Sequence, residues 1–533
     1  MQRPDEALTK PPAPRSGARP SLTGNAAWRL ISVVVRIALG MVSVSLFTHL
    51  LGMTQWGLLA LFQAAVAPLA LLAGLSLATV KYTAEALGRG DQEEATRVVQ
   101  TTLVLNLLAG AAGVLALFLG ARWLASSAFT IPPELADRAV VGFRLMGLVW
   151  FLGVITATYG TVLSAFQRYD IAARLGVFSA LLVTSLGLFA AAGGGDIVTV
   201  VLAQALGGAV VAALTFDRAR RLLPGIAARP RSHSRALRRS LSFGSWQVMG
   251  SVGGLMSGWA DRYVLGIFFP PAILGTYATA NLLQAHLTSM FIEVGEVLLP
   301  AVSHLEGSGD LPGARRLALL VGWTLTSGFG ICAAVLGAVG GDFLHLWISP
   351  EVALATTATL RILCAAAIAG IAAIAPLHYL LGIGKAHWDA GAGLAVGVVV
   401  TAVTALLVPR IGLPGVGYGL LAGTLSRWLV VFFVWRRHFR PHFGLASFCA
   451  HVWVPPVVSM ATLFLLERLH DSLHRRPGWP WLLVETAIAF LLAGAVQLGA
   501  SEILPGGAGR RREVVSSFRP IIAKATGLFS AAP

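Results

Sequence analysis

The chain has 533 residues, 56% of them hydrophobic and only 12% charged, with a mean hydropathy of +0.75. Soluble proteins carry roughly 25% charged residues, so about half the usual charge is missing and a soluble globular chain is excluded. The formal charge of +16 lies mostly in short segments between apolar runs, with no basic face interleaved with aromatics, so no nucleic-acid partner is expected.

Residues 1–24 are polar and proline-rich and read as a disordered cytoplasmic tail; no signal-peptide core with a cleavage site follows them. Apolar runs then succeed one another, most of about 20 residues or more and so able to cross a bilayer as helix. The first six lie at 28–50, 56–80, 98–120, 140–164, 171–192 and 196–216, within a first lobe spanning 25–216. A basic loop, 217–240, carries eight arginines. A second lobe, 241–436, holds runs at 241–268, 273–299, 316–341, 354–382, 388–408 and 412–435. A terminal pair at 449–468 and 480–501 falls within 437–502, ahead of a cytoplasmic tail, 503–533. Continuous apolar runs, rather than short alternating ones, exclude a barrel. The expected fold is an all-α polytopic membrane protein with about fourteen transmembrane helices.

An even number of spans puts both termini on one side. The tails and the segments on that side hold 29 of the Lys and Arg residues against 6 in the opposite loops, which predicts a cytoplasmic N-terminus and C-terminus. Cys332, Cys364 and Cys449 lie in or at apolar runs and offer neither a disulfide framework nor a metal spacing.

The two lobes repeat. Gly88-Arg89-Gly90-Asp91, continuing to Ala95 and Arg97, matches Gly307-Ser308-Gly309-Asp310, continuing to Ala314 and Arg316, at an offset of 219. Similar offsets relate Gly57 to Gly275, Arg168 to Lys385 and Gly193 to Gly412. Six spans per repeat keep both copies in the same orientation, so the pseudo-twofold axis follows the membrane normal. In transporters built this way, substrate sites lie between the repeats.

Several fragments in order carry a family resemblance. They are Trp56-Gly57-Leu58 leading to Lys81-Tyr82-Thr83-Ala84-Glu85, and Phe166-Gln167-Arg168-Tyr169-Asp170. Further on come Phe243-Gly244-Ser245-Trp246, Trp259-Ala260-Asp261-Arg262-Tyr263-Val264-Leu265-Gly266, Leu274-Gly275-Thr276-Tyr277-Ala278 and Pro300-Ala301-Val302-Ser303. Together they resemble the multidrug/oligosaccharidyl-lipid/polysaccharide (MOP) flippase superfamily, in particular its polysaccharide-transport, O-antigen flippase-like branch. The resemblance implies two six-helix lobes set as a V around a cavity, alternating access, and export of an undecaprenyl-pyrophosphate-linked oligosaccharide across a cell inner membrane. Fourteen spans fit that branch and the lipid II flippases better than the twelve-span drug exporters. Its implied partners are the lipid-linked oligosaccharide, membrane lipids and polymerase or glycosyltransferase machinery.

Charged side chains at membrane depth are costly and usually face a cavity or a partner. In the first run Asn25, Arg29, Ser32, Arg36, Gly40 and Ser43 form one helical stripe. Arg36 at depth suits a diphosphate, which a guanidinium binds through paired hydrogen bonds; the alternative is snorkelling to the interface. Arg144, Arg361 and Arg427 are further intramembrane cations, expected with Arg36 to make a basic cavity. Asp261 and Arg262 are candidates for substrate contact or for lobe packing, each paired with a different neighbour. In the eighth run His286, Ser289, Glu293 and Glu296 share a face; His286, Glu293 and Glu296 are candidates for coupling to a proton or to Na+, against the alternative of solvated groups at the cytoplasmic mouth. Gly250, Gly254 and Gly258 read as a packing stripe.

No enzyme signature appears. Gly193-Gly194-Gly195-Asp196 lacks the Lys-Ser/Thr of a phosphate loop, and His470 and His474 read as solvated loop residues. No catalytic residue, resident cofactor or metal is expected. The competing readings are a cation-coupled exporter on the same fold and a non-transporting scaffold of polysaccharide assembly.

Overall fold

The computed structural model describes residues 22–71, 76–227, 234–296, 298–440, 443–472 and 477–503, and the described residues form helices and turns with no strand. Residues 1–21 and 504–533, loop residues 228–233 and His474 lie outside the described residues, as do the side chains of Asn25, Arg29, Ser32, Phe243-Gly244-Ser245-Trp246 and Gly250.

The first half comprises α1 (Leu22–Val66), α2 (Ser76–Gly88), α3 (Gln92–Trp123), α4 (Pro133–Ala165), α5 (Tyr169–Ala192) and α6 (Ile197–Leu222). The second comprises α7 (Ser234–Phe268), α8 (Pro271–Gly295), α9 (Leu298–Gly307), α10 (Leu311–Trp347), α11 (Pro350–Ile371), α12 (Ile374–Gly382), α13 (Ala386–Ile411) and α14 (Pro414–Val434). A terminal group follows: α15 (Leu445–Val452), α16 (Val454–Ser472) and α17 (Trp479–Ile503).

Eleven helical stretches among the described residues are long and apolar enough to cross a membrane, or twelve if α15 and α16, bent by 42°, form one span. The difference from fourteen has two sources. Runs 28–50 and 56–80 join in α1, which counts once; yet Gly52 inside it is non-helical (φ 80°, ψ 163°). A straight helix of 45 residues would measure about 67 Å, more than twice the roughly 30 Å hydrocarbon core, so the break at Gly52 divides two arms. Run 241–268 is helical as α7 but falls outside the eleven; Asp261 and Arg262 interrupt its apolar character.

The repeat is written into the backbone. Asp91 caps α3 by accepting from the Glu94 amide at 2.8 Å, and Asp310 caps α10 by accepting from the Gly313 amide at 2.8 Å. Each cap fills a donor that the helix leaves open. The preceding glycines, Gly90 (φ 77°) and Gly309 (φ 81°), occupy the left-handed region where a Cβ is penalised. The G-x-G-D pattern is therefore a turn followed by a cap, used twice. Two other left-handed positions are also paired: Gln167 (φ 56°) with Gly384 (φ 72°), and Gly194 (φ 82°) with Gly412 (φ 70°). At the opposite end of the bundle α4, α8, α11 and α14 all open with proline in the first turn, where its missing N–H costs nothing.

Each half packs mainly on itself, and the halves meet chiefly where α1 lies along α8; α16 and α17 pack on α10. Helix contacts in lipid depend on close approach of small residues. The expected Gly250-Gly254-Gly258 stripe is off by one position: Gly254 and Gly258 face open space. Gly253 makes the contact instead, and a Cβ there would lie 2.4 Å from the Gly393 carbonyl carbon on α13.

Candidate substrate pathway between the two halves

The α1–α8 contact brings together residues singled out in separate halves. The Arg36 guanidinium stands 3.7 Å from Glu293 Oε1, and the two side chains remain 48% and 32% exposed, so the pair is loose and open to a competing ligand. One turn along, Gly40 faces His286, where a Cβ would lie 2.8 Å from the imidazole Nε2. That Nε2 is buried without a hydrogen-bond partner. Ser43 completes the α1 face, its hydroxyl donating to the Gly40 carbonyl at 3.0 Å. Glu296, by contrast, sits exposed at the end of α8.

Beside this charged seam lies an apolar cavity of about 400 Å³ between α1, α8, α10 and α17, with Ile37, Met41, Met290, Phe343, Leu482 and Phe490 among its walls. His286 is on its lining. An ionic patch that opens beside an apolar slot suits a guest with an anionic head and a hydrocarbon tail.

Toward the proline-led end the halves close on each other. A Cβ on Gly57 would fall 1.7 Å from the Pro271 carbonyl oxygen, and one on Gly275 would fall 2.4 Å from the Met53 oxygen and 2.9 Å from the Gly57 nitrogen. The repeat-related glycines thus meet each other, backbone on backbone. Thr130 adds two bonds to α7, its amide donating to the Gly266 oxygen at 2.8 Å and its hydroxyl to the Ile267 oxygen at 2.6 Å. Tyr263 donates to the Ala64 carbonyl at 2.5 Å.

With this geometry in view, residues 22–306 match the family described as Polysaccharide biosynthesis protein. The chain belongs to that family. It is 24% identical over 361 residues to the membrane protein EpsK of Bacillus subtilis (strain 168), covering 66% of this chain and 70% of EpsK. Its fold is similar to that of the lipid II flippase MurJ in an inward closed conformation (14% identity, TM-score 0.66), over 93% of this chain and 99% of that one. It is also similar to an inward-facing multidrug resistance MATE family transporter of the MOP superfamily (16% identity, TM-score 0.64), over 78% of this chain and 98% of that one. The chain is a multi-pass membrane protein with the MOP superfamily fold.

In this polysaccharide biosynthesis family member the remaining arginines do not converge on the seam. Arg144 lies on α4 with its guanidinium 4.4 Å from the Phe118 ring centre. Arg361 on α11 is held by Glu467 at 2.9 Å and Asp471 at 3.0 Å, both on α16. Arg427 on α14 has a buried Nε without a partner, and Asp389 of α13 is the acid that acts on it. The single basic cavity expected from the four is therefore not assembled, because each answers to a different helix pair.

Asp261 and Arg262 were expected to take separate partners and instead take each other, at 3.1 Å. Flexing of the long arginine side chain overcomes the 100° offset of neighbouring helix positions. Tyr277 of α8 donates to the same carboxylate at 2.6 Å, and the Trp259 ring lies 4.8 Å under the guanidinium. This closed network joins α7 to α8 within one half.

Arg361 acts as a bracket for the terminal helices. Removing it strands Glu467 and Asp471, and hydrogen bonds to charged groups contribute about 1.5–3 kcal/mol each. Arg361→Ala is expected to lower the thermal unfolding midpoint of the purified protein while sparing export at a permissive temperature. Loss of export with an unchanged midpoint would make Arg361 a substrate group after all.

A second bracket escaped the sequence reading. His470 lies in α16, not in a solvated loop: its Nδ1 is 2.5 Å from Glu485 of α17 and its Nε2 is 3.8 Å from Asp342 of α10. These three are the one group among the described residues with geometry for a metal ion; within it His470 Nδ1 is hydrogen-bonded to Glu485, while Asp342 stands from Nε2 at ion-pair distance only.

Proposed function

We infer that the chain translocates an undecaprenyl-pyrophosphate-linked oligosaccharide, a precursor of surface polysaccharide, from the cytoplasmic to the outer leaflet of the cell inner membrane. The observation that carries this reading is the Arg36–Glu293 pair opening beside the apolar cavity of α1, α8, α10 and α17. A diphosphate would take the Arg36 guanidinium by paired hydrogen bonds, displace Glu293, and lay its isoprenoid along the cavity. The terminal helices fit a role in forming that lipid groove, since α17 supplies Leu482, Thr486 and Phe490 to the cavity wall. Both termini are cytoplasmic in this reading, which the 29 to 6 bias of cations supports. The proline-led end then faces outward, and its closed seam leaves the substrate to enter from the cytoplasm. Rocking of the halves about α1–α8 exchanges the two openings. Glu293 is the group to carry the coupling ion, a proton or Na+ taken up from the outer side once substrate has left and carried inward as the halves return, so that ion and substrate move in opposite directions. Polymerases and glycosyltransferases of the same assembly line are the expected protein partners.

The test is the leaflet distribution of undecaprenyl-linked oligosaccharide in cells with and without the chain. Accumulation on the cytoplasmic side in its absence is the expected result. An unchanged distribution would sink the sugar-lipid assignment and leave the cation-coupled exporter, which draws on the same Glu293 and His286, or the scaffold.

A further inference from the structure

We propose that each half carries, at repeat-related positions on its basic end, a site for the phosphate headgroup of an anionic phospholipid. The second-half pocket, about 470 Å³, lies between α13 and the end of α14 and is lined by Lys385, His387, Trp388, Gly391, Val430 and Arg437. The first-half pocket, about 280 Å³, lies between α5 and the end of α6, with Ile171, Arg174, Leu214 and Arg218 on its walls. Arg218 and Arg437 stand 219 positions apart, the same offset as the G-x-G-D turns, and Ile171 and Trp388 correspond within two positions. Two pockets found independently at one repeat register are not a chance pair of surface dents.

One cation in each, Arg218 in the first pocket and Arg437 in the second, is uncommitted. Arg218 and Arg437 make no ion pair or hydrogen bond among the described residues. The neighbouring acids are already taken: Asp217 is bridged by Arg220 and Arg221, each at 2.8 Å, and Asp170 by Arg168 at 2.9 Å. In the second half Asp389 acts on Arg427 rather than on Arg437. Behind the larger pocket, Arg315 Nε and His438 Nε2 are buried without partners, and Lys385, Arg437 and Arg315 all act on the His438 ring. Cations placed as Arg218 and Arg437 are, with no counterion of their own, call for an anion from outside the chain.

The source of that anion follows from what borders the pockets. Both sit between two neighbouring membrane helices, and exposed apolar side chains continue along the same helices: Leu181, Leu206 and Val210 in the first half, Val398, Leu425 and Leu429 in the second. A soluble phosphate uses only the basic mouth, whereas a phospholipid uses the mouth and the stripe together. Basic pockets between helices at the cytoplasmic surface bind lipid headgroups on this principle.

The experiment is native mass spectrometry of the full chain, extracted in mild detergent and mixed with phosphatidylglycerol and phosphatidylcholine. The wild type is expected to retain two phosphatidylglycerol molecules. Arg218→Gln and Arg437→Gln should each lose one, and the double variant both. Arg437→Lys should keep its lipid, and Arg436→Gln, which removes the same charge from the same turn outside the pocket, should keep both; monodisperse elution of every variant checks folding. The proposal is overturned if the double variant retains lipid like the wild type, if Arg436→Gln loses as much as Arg437→Gln, or if inorganic phosphate alone displaces both lipids, which would make the pockets soluble-anion sites.

Discussion

Replacing Arg36 by alanine should lower export of the lipid-linked oligosaccharide about tenfold to a hundredfold without reducing the amount of protein in the membrane. The pair with Glu293 is long, at 3.7 Å, and both partners are partly exposed, so it contributes little to stability. Its value lies in being exchangeable. A diphosphate offers the guanidinium two charge-assisted hydrogen bonds where Glu293 offers one distant carboxylate oxygen, and each such bond is worth about 1.5–3 kcal/mol. Arg36→Lys should recover only part of the activity, because an ammonium lacks the planar fork. Glu293→Gln should behave differently: with its competitor neutralised, Arg36 binds headgroup more tightly, but the step that loads the ion is lost. Transport assayed across a range of substrate concentrations separates the two, since Arg36→Ala weakens apparent affinity and Glu293→Gln strengthens it while slowing turnover. Full export by the Arg36→Ala, Glu293→Gln double variant would exclude the seam from transport and favour the scaffold.

Gly57→Val is the second large effect. Even the Cβ would sit 1.7 Å from the Pro271 oxygen, and that atom is backbone, which a rotamer change cannot move aside. Overpacking of this kind costs about 3 kcal/mol or more, enough to tilt a two-state equilibrium by over about a hundredfold. The closed seam should therefore open. A cysteine introduced at Ala64, fully buried where Tyr263 bonds across the seam, in a background with Cys332, Cys364 and Cys449 replaced, should label more readily with an impermeant maleimide from outside when Gly57→Val is present. Gly275→Val should do the same from the other side of the seam. Gly254→Val, at a glycine with open space around it, should leave labelling unchanged. Equal labelling of Gly57→Val and the parent would mean that this contact does not gate the outer end.

Much of this architecture was legible in the residues. Hydropathy runs place helices because lipid leaves the backbone no other way to satisfy its hydrogen bonds, and G-x-G-D marks a turn and cap whose chemistry is local. The same holds for the stripe of Arg36, Gly40 and Ser43 and for that of His286 and Glu293: helical spacing predicts a face. What spacing cannot give is the partner across the gap. Arg361 reads as a cavity cation until Glu467 and Asp471 arrive from 106 and 110 positions away, on a helix that lies outside the repeat and so has no counterpart to suggest the pairing. His470 was misplaced for the same reason. The glycine stripe on α7 failed more narrowly: Gly253 and Gly254 are adjacent, periodicity accommodates either, and only the position of Gly393 on α13 decides between them. The break at Gly52 is likewise invisible in hydropathy, which runs on past it.

Gly57 and Gly275 touch, although they belong to different copies of one repeat. A position can meet its own counterpart only on a twofold axis. A chain made of one repeat alone would therefore present this glycine to the same glycine of a second molecule, as a homodimer does, and its assembly would depend on concentration. Joining the copies through the basic loop replaces that encounter with an intramolecular one, at an effective concentration of order millimolar for a flexible tether. It also frees the two sides to diverge. The tether fixes the stoichiometry, so only one copy needs to carry the clasp for α16 and α17, and a symmetric joint can serve a machine whose halves are no longer alike.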